Sequence, residues 1–368
     1  MASPVTASPV TAGSAGISVA MATYNGARNL EEQLDSILKQ SRHPAELVVC
    51  DDGSGDATVD ILADFARTAP FPVHLHRNPQ RVGPGENFFR AASMCRHDYV
   101  AFCDQDDIWR PAKLAACSEA IARRSPDLIL HCYLDFRVDS YGRKVFEQDR
   151  PTLPHRTHRA IDMEPTMLWP GMAMVVRRSL IAQAAGLSSR WQADARSCPR
   201  PDDGYWHYNW ANWHDVACLM AALERGNIVS LNRILAEHRT MAGGLFSDPA
   251  GLVNALPPIL PSSPIRDDCD NYRRQAKLFG QLADFFHEVD DRQSTARYYR
   301  RWQEICAART LTRARDIPRG RSLVGLGEVL KNRTWRGHWS GGDGVRSVLL
   351  DLRAVLAPRS RTRTTITA

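Results

Sequence analysis

Tyr99-Val100-Ala101-Phe102-Cys103-Asp104-Gln105-Asp106-Asp107-Ile108-Trp109 sets an apolar run directly before three carboxylates packed into four positions. The first half reads as a buried strand, and unpaired acids crowded at its end repel one another and raise each other's pKa. A strand that ends this way is built to hold a cation. Oxygen ligands of this kind suit Mg2+ or Mn2+, which keep several waters and share their remaining positions with a substrate phosphate.

Working outward, Ile17 to Ala22, Glu46 to Cys50 and Val73 to His76 read as further short strands. Between them the apolar spacing predicts helices over Leu30 to Gln40, Asp56 to Arg67 and Glu86 to Cys95. Strands alternating with helices of this length imply an α/β unit, with a mostly parallel sheet flanked by helices. Ligands of such sheets bind beyond the carboxyl ends of the strands. That rule brings Tyr24-Asn25, Asp51-Asp52 and Asp104 to Asp107 to one rim and predicts a nucleotide-type site.

Downstream, Leu128 to Phe136 and Met172 to Val176 read as strands and Val216 to Leu223 as a helix. The whole chain divides into a disordered leader at 1–16, a catalytic unit at 17–247, a Pro-rich linker at 248–265, a C-terminal helical extension at 266–357 and a basic tail at 358–368. In the extension, apolar stripes run through Tyr272, Ala276 and Phe279, and again through Tyr298, Trp302 and Ile305; Val345 to Leu356 is a last amphipathic segment.

The net charge of +6 belongs to the C-terminus: from Arg297 onward there are 16 Lys and Arg against 5 acids. Without interleaved aromatic or groove-reading context, that excess points to an anionic membrane surface or an acidic partner rather than nucleic acid, or to no more than a solvated helical face. No apolar run reaches the roughly 20 residues that span a bilayer, and the N-terminus has no signal-peptide pattern, so a cytoplasmic protein is expected, with peripheral membrane contact through the basic C-terminus. Nine cysteines occur without a Cys-x-x-Cys pair, as expected for buried reduced thiols.

Val19 to Gly26, Val48 to Asp56 and Phe102 to Trp109, in this order and spacing, resemble the family 2 inverting glycosyltransferases. The fuller forms, Asn78 through Gly83 to Asn87-Phe88 and Cys103 to Trp109, are similar to the rhamnosyltransferase-like branch. The resemblance covers about residues 17 to 245 and implies the glycosyltransferase A fold. It also implies a nucleoside-diphosphate sugar as donor and a glycan or glycolipid hydroxyl as acceptor.

The resemblance assigns Tyr24, Asn25, Asp52 and Asn87 to nucleotide binding. Tyr24 can stack on a nucleobase and Asp52 can accept from a pyrimidine N–H, although Asp-Asp-Gly-Ser-Gly after a strand also makes a tight turn and caps the next helix. The family's Asp-x-Asp falls on Asp104 and Asp106, with Asp106 the direct metal ligand and Asp104 a ribose, water-mediated or second metal contact. Asp215, after Trp213-His214, stands at the family's base position, with a helix N-cap as its other reading. His214 is a support. Asp202 and Asp203 are fallback bases within an aromatic stretch.

Gly171, in Trp169-Pro170-Gly171-Met172-Ala173, matches the loop between donor and acceptor subsites. Arg239 and Gly243-Gly244 fit the family's later pattern, but Met241 stands where its His is found, leaving His238 as the substitute. Two rival readings remain open here. An apolar strand before Asp104-x-Asp106 also resembles the haloacid-dehalogenase-like phosphohydrolases, and a non-catalytic carbohydrate-binding relative would keep the same fold.

Overall fold

The structure, a computed structural model, describes residues 16–146, 156–158, 169–193, 214–225, 227–240, 293–313 and 319–331, with isolated positions at 276, 280, 283, 352, 355 and 356. Strands β1 (Ile17–Thr23), β2 (Glu46–Asp51), β3 (Val73–Arg77) and β4 (Tyr99–Cys103) pair in parallel in the order β3-β2-β1-β4. β1, β2 and β4 are buried along nearly their whole length, which is why their sequences run apolar instead of alternating. The connecting helices are α1 (Ala27–Leu38), α2 (Thr58–Thr68) and α3 (Pro84–Met94). Each turns one stripe to the sheet: Leu30, Leu34 and Ile37 from α1, Leu62 and Phe65 from α2, Phe88, Phe89 and Ala92 from α3. Burying each of the larger side chains stabilises the fold by roughly 1.5–3 kcal/mol.

Past β4 the sheet becomes mixed. β5 (Ile108–Trp109) closes the acidic loop, α4 (Lys113–Arg124) follows, and β6 (Leu128–Val138) carries the short antiparallel strand β7 (Lys144–Phe146), while β8 (Arg156–His158) pairs antiparallel with the last strand, Ile228–Arg239. A 3-10 turn at Gly171–Ala173 leads into β9 (Met174–Arg177), which lies antiparallel between β4 and β6. β4 and β6 therefore point the same way across one reversed strand. After α5 (Ile181–Ala193) and α6 (His214–Arg225), β10 (Ile228–Arg239) pairs parallel with β6 and antiparallel with β5, with register shifts between Leu231 and Ala236.

The predicted elements appear at their places, with Met172 in the turn instead of the strand. The sequence reading did not include α4, α5 or β10. α7 (Gln293–Arg313) buries Trp302 of the expected stripe, together with Ala296 and Cys306, while the side chains of Tyr298 and Ile305 lie outside what is described; α8 (Arg319–Lys331) follows. The leader, the linker and the tail lie outside the described residues, as do most of 266–292 and of Val345 to Leu356. All seven cysteines among the described residues are buried and outside any disulfide, and no helix among those residues is long and apolar enough to cross a membrane.

Candidate active site

The carboxyl ends of β1, β2 and β4 form one rim, and side-chain hydrogen bonds tie their loops into a lattice. Gln105, the residue between the acids, clamps the β1 loop at two points: Oε1 accepts from the Tyr24 amide at 2.9 Å and Nε2 donates to the Tyr24 carbonyl at 3.1 Å. Gly26 allows this approach, since a Cβ there would stand 2.2 Å from Gln105 Oε1. Asn25 takes a left-handed conformation, φ 48°, a region that Asn tolerates better than most residues. Its amide donates to Ser54 Oγ at 2.9 Å and its Oδ1 accepts from Gly55 N at 2.8 Å, bridging the β1 and β2 loops. Asp51 organises the β2 turn by accepting from Thr23 Oγ1, Gly53 N, Ser54 N and Ser54 Oγ.

Asp52 is only 3% exposed. Its Oδ1 accepts from Val82 N and Asn78 Nδ2, and its Oδ2 from Gly83 N, so it holds the loop that precedes α3. Gly83 has φ 88°, which suits the residue entering that helix. Asn87 is buried, with its amide nitrogen donating to the Cys50 carbonyl and its oxygen accepting from Asn78. It braces the strand ends from below. Tyr24 is half-buried, with the Arg81 guanidinium 3.9 Å above its ring.

Asp104 and Asp106 are partly exposed at the rim, whereas Asp107 is 1% exposed. Asp107 Oδ1 accepts from the Arg239 amide at 3.2 Å, and its Oδ2 is buried with no partner among the described residues. Arg239 stands behind the loop: Nε donates to the Asp106 carbonyl at 2.9 Å, the guanidinium pairs with Glu32, and it lies over the Phe136 ring. His238 faces the acids, its Nδ1 held by Asp135 at 2.8 Å. Burial, then the negative charges of Asp107 and Asp106, push Asp104 well above the usual carboxylate range, while His238 opposes them. Burial also raises Asp106, against His238, and pushes Asp107 up to about 6.

This excess of negative charge fits a cation site. No group of three or more His, Cys, Asp and Glu among the described residues forms a complete metal cage. The arrangement therefore suits a cation held by one or two carboxylates that completes its shell with water and phosphate oxygens.

Asp215 lies in the first turn of α6. Burial pushes its carboxyl up to about 6, opposed first by the Val216 amide, which donates to its Oδ1 at 2.8 Å. Its charge helps to raise Asp104. His214 packs beneath, its ring 3.9 Å from Phe88 and 4.6 Å from Phe102, and burial lowers its pKa to about 3. It is a neutral packing group. A Cβ on Gly171 would come within 2.3 Å of His214 Nε2, so glycine is what lets the 3-10 turn close on α6. Trp213, Asp202, Asp203, Met241 and Gly243-Gly244 lie outside the described residues. The sequence reading quoted Asn78 and Gln105 within its motifs but gave them no role, and it assigned none to Arg81 or Glu32.

Residues 18–183, just under half of the chain, match the model of Glycosyl transferase family 2. The dTDP-rhamnosyl transferase RfbG of Shigella flexneri is 37% identical over 130 residues, which are 34% of this chain and 44% of that protein. The abequosyltransferase RfbV of Salmonella typhimurium is 31% identical over 154 residues, 40% of this chain and 42% of that protein. The matched stretches thus span less than half of these two relatives. The crystal structure of S. aureus TarS 1-349 in complex with UDP-GlcNAc superposes with a TM-score of 0.50 at 16% identity, covering 92% of this chain and 90% of that one. That likeness is one of fold, the glycosyltransferase A fold with C-terminal helices. The topology tells against the phosphohydrolase reading: the acids follow the fourth strand, after three strand-helix units that carry their own polar rim.

Proposed function

As the bearer of a family 2 glycosyl transferase domain at residues 18–183, this chain, we propose, transfers a sugar from a nucleoside diphosphate to a hydroxyl group in one inverting displacement. One observation carries the reading: Asp215, from α6, lies within electrostatic reach of Asp104 at the rim of β4. A base and a cation site facing each other across a gap is what a single displacement requires.

In this reading Tyr24, with Arg81 over it, supports the nucleobase end of the donor, and Asn25, Asp52 and Asn87 hold the loops that frame it. Asp106, with Asp104 beside it, would hold Mg2+ or Mn2+, with His238 as neighbour in place of the residue expected at Met241; such a cation, when bound, offsets the charge of the leaving diphosphate. Asp215 accepts the proton of the acceptor hydroxyl. The oxygen so released attacks the anomeric carbon as the bond from that carbon to the diphosphate oxygen breaks, and the electron pair leaves with the nucleoside diphosphate. With its pKa near 6, Asp215 is ionised at neutral pH and still basic enough to take the proton.

The first donor to test is dTDP-rhamnose, because the Shigella flexneri relative is named for dTDP-rhamnosyl transfer. The acceptor is read as a glycan or glycolipid hydroxyl, and the site of action as the cytoplasm, at the inner face of the membrane. In support of a membrane contact, Leu323 and Val324 of α8 are 56% and 64% exposed beside the exposed Arg321.

The test is thermal stabilisation by UDP, dTDP and GDP, each with and without Mn2+. A nucleotide that stabilises only with the metal is the expected result and names the donor class; no metal-linked shift with any of the three overturns the reading. Turnover retained by Asp215→Asn would remove the base assignment alone.

A further inference from the structure

Lys113 opens α4 with its side chain entirely buried, 0% exposed. Removing an ammonium from water is costly, and a buried charge is kept only where it is well engaged. Its Nζ donates to the Met172 carbonyl at 2.6 Å and lies 3.4 Å from the centroid of the Trp109 ring. Burial lowers its pKa to about 8, and the nearby Asp107 and Asp104 hold it from falling further, so it is mainly charged at neutral pH.

Its two contacts belong to different halves of the site. Trp109 ends the acidic loop and is fixed in the sheet by pairing with Ala236 of β10. Met172 is the middle of the 3-10 turn whose first residue, Gly171, lies against His214, the residue before Asp215 in the first turn of α6.

We propose that Lys113 is a positioning residue: by holding the Met172 carbonyl against Trp109 it fixes the Gly171–Ala173 turn, and through the packing of Gly171 on His214 the first turn of α6 that carries Asp215, relative to the acidic loop. It does not touch the reacting atoms. Its value to the enzyme rests on Asp215 being the base, but the tether itself can be tested without a substrate.

The experiment is a 13C titration of aspartate carboxyls by NMR on the full chain, with the Asp215 signal assigned by its loss in Asp215→Asn. In the wild type the midpoint is expected near 6. Lys113→Met removes the donor and frees the turn against which α6 packs, so the burial that sets the Asp215 midpoint changes and the midpoint should move by about half a pH unit or more. Lys113→Gln keeps a donor without the charge and should stay near the wild-type value. Where Lys113→Met does not fold, Lys113→Arg, which lengthens the tether, should move the midpoint in its place. An unmoved midpoint in these folded variants overturns the proposal. So does an equal shift in Lys113→Gln and Lys113→Met, which would make the effect one of charge alone. A catalytically unimpaired Asp215→Asn would instead remove the base assignment and leave the tether standing.

Discussion

Asp215 depends on its surroundings for its basicity: burial lifts it to about 6, and the hydrogen bond from the Val216 amide keeps it from rising further. Replacing it with Asn should lower turnover by about 10²- to 10⁴-fold while leaving metal-nucleotide affinity within about twofold of wild type, as read by steady-state kinetics and calorimetry. Because the base must be ionised, wild-type turnover should fall as the pH drops through about 6, and that limb should be absent from the residual activity of the Asn variant. Gly171→Ala should cost about 1–3 kcal/mol of stability, since its Cβ would press on His214 Nε2 at 2.3 Å. Urea unfolding checks it. The aspartates at Asp52, Asp104, Asp106 and Asp215 were legible in the sequence because they follow apolar strands or open a helix. Lys113 and Arg81 were not. A lysine at a helix start and an arginine in a loop read as solvated charges, and only the folded chain reveals that one is buried under Trp109 and the other covers Tyr24.

Among elements, the loop from Asn78 to Gly83 depends on Asp52, whose two oxygens accept three hydrogen bonds from it. In Asp52→Asn one oxygen becomes an NH2 group, and at least one of those donors loses its acceptor. That loss is worth about 1–2 kcal/mol, so nucleotide affinity should weaken by about tenfold with little change in turnover at saturation, measured by calorimetry and by the KM-against-kcat split. The parallel half of the sheet was readable because its strands are short, apolar and separated by periodic helices. β10 was not, because Asn232 and Arg233 interrupt its pattern where the register shifts against β6. The irregularity has a purpose in the fold: it lets the last residues of the strand carry His238 and Arg239 to the acidic loop.

At the scale of the whole molecule, the site concentrates acids that the fold holds against their own repulsion. Asp107 and Asp215 bind protons more tightly folded than unfolded, so the stability they contribute is present below about pH 4 and is lost as the pH rises through about 6. His214 works in the opposite sense, its contribution being lost as the pH falls from about 6.5 towards about 3. A divalent cation at Asp104 and Asp106 should therefore raise the melting temperature more at pH 7.5 than at pH 5, a difference that scanning calorimetry with Mn2+ would read; equal shifts at both values would count against a cation site there. The two hydrogen bonds from Gln105 to the Tyr24 backbone give the molecule a ruler. They set the interval between the platform at one end of the rim and the carboxylates at the other by the length of a single side chain. Shortening it by one methylene, about 1.5 Å, would recalibrate the distance between a bound base and its diphosphate while every residue assigned to hold either end stayed in place.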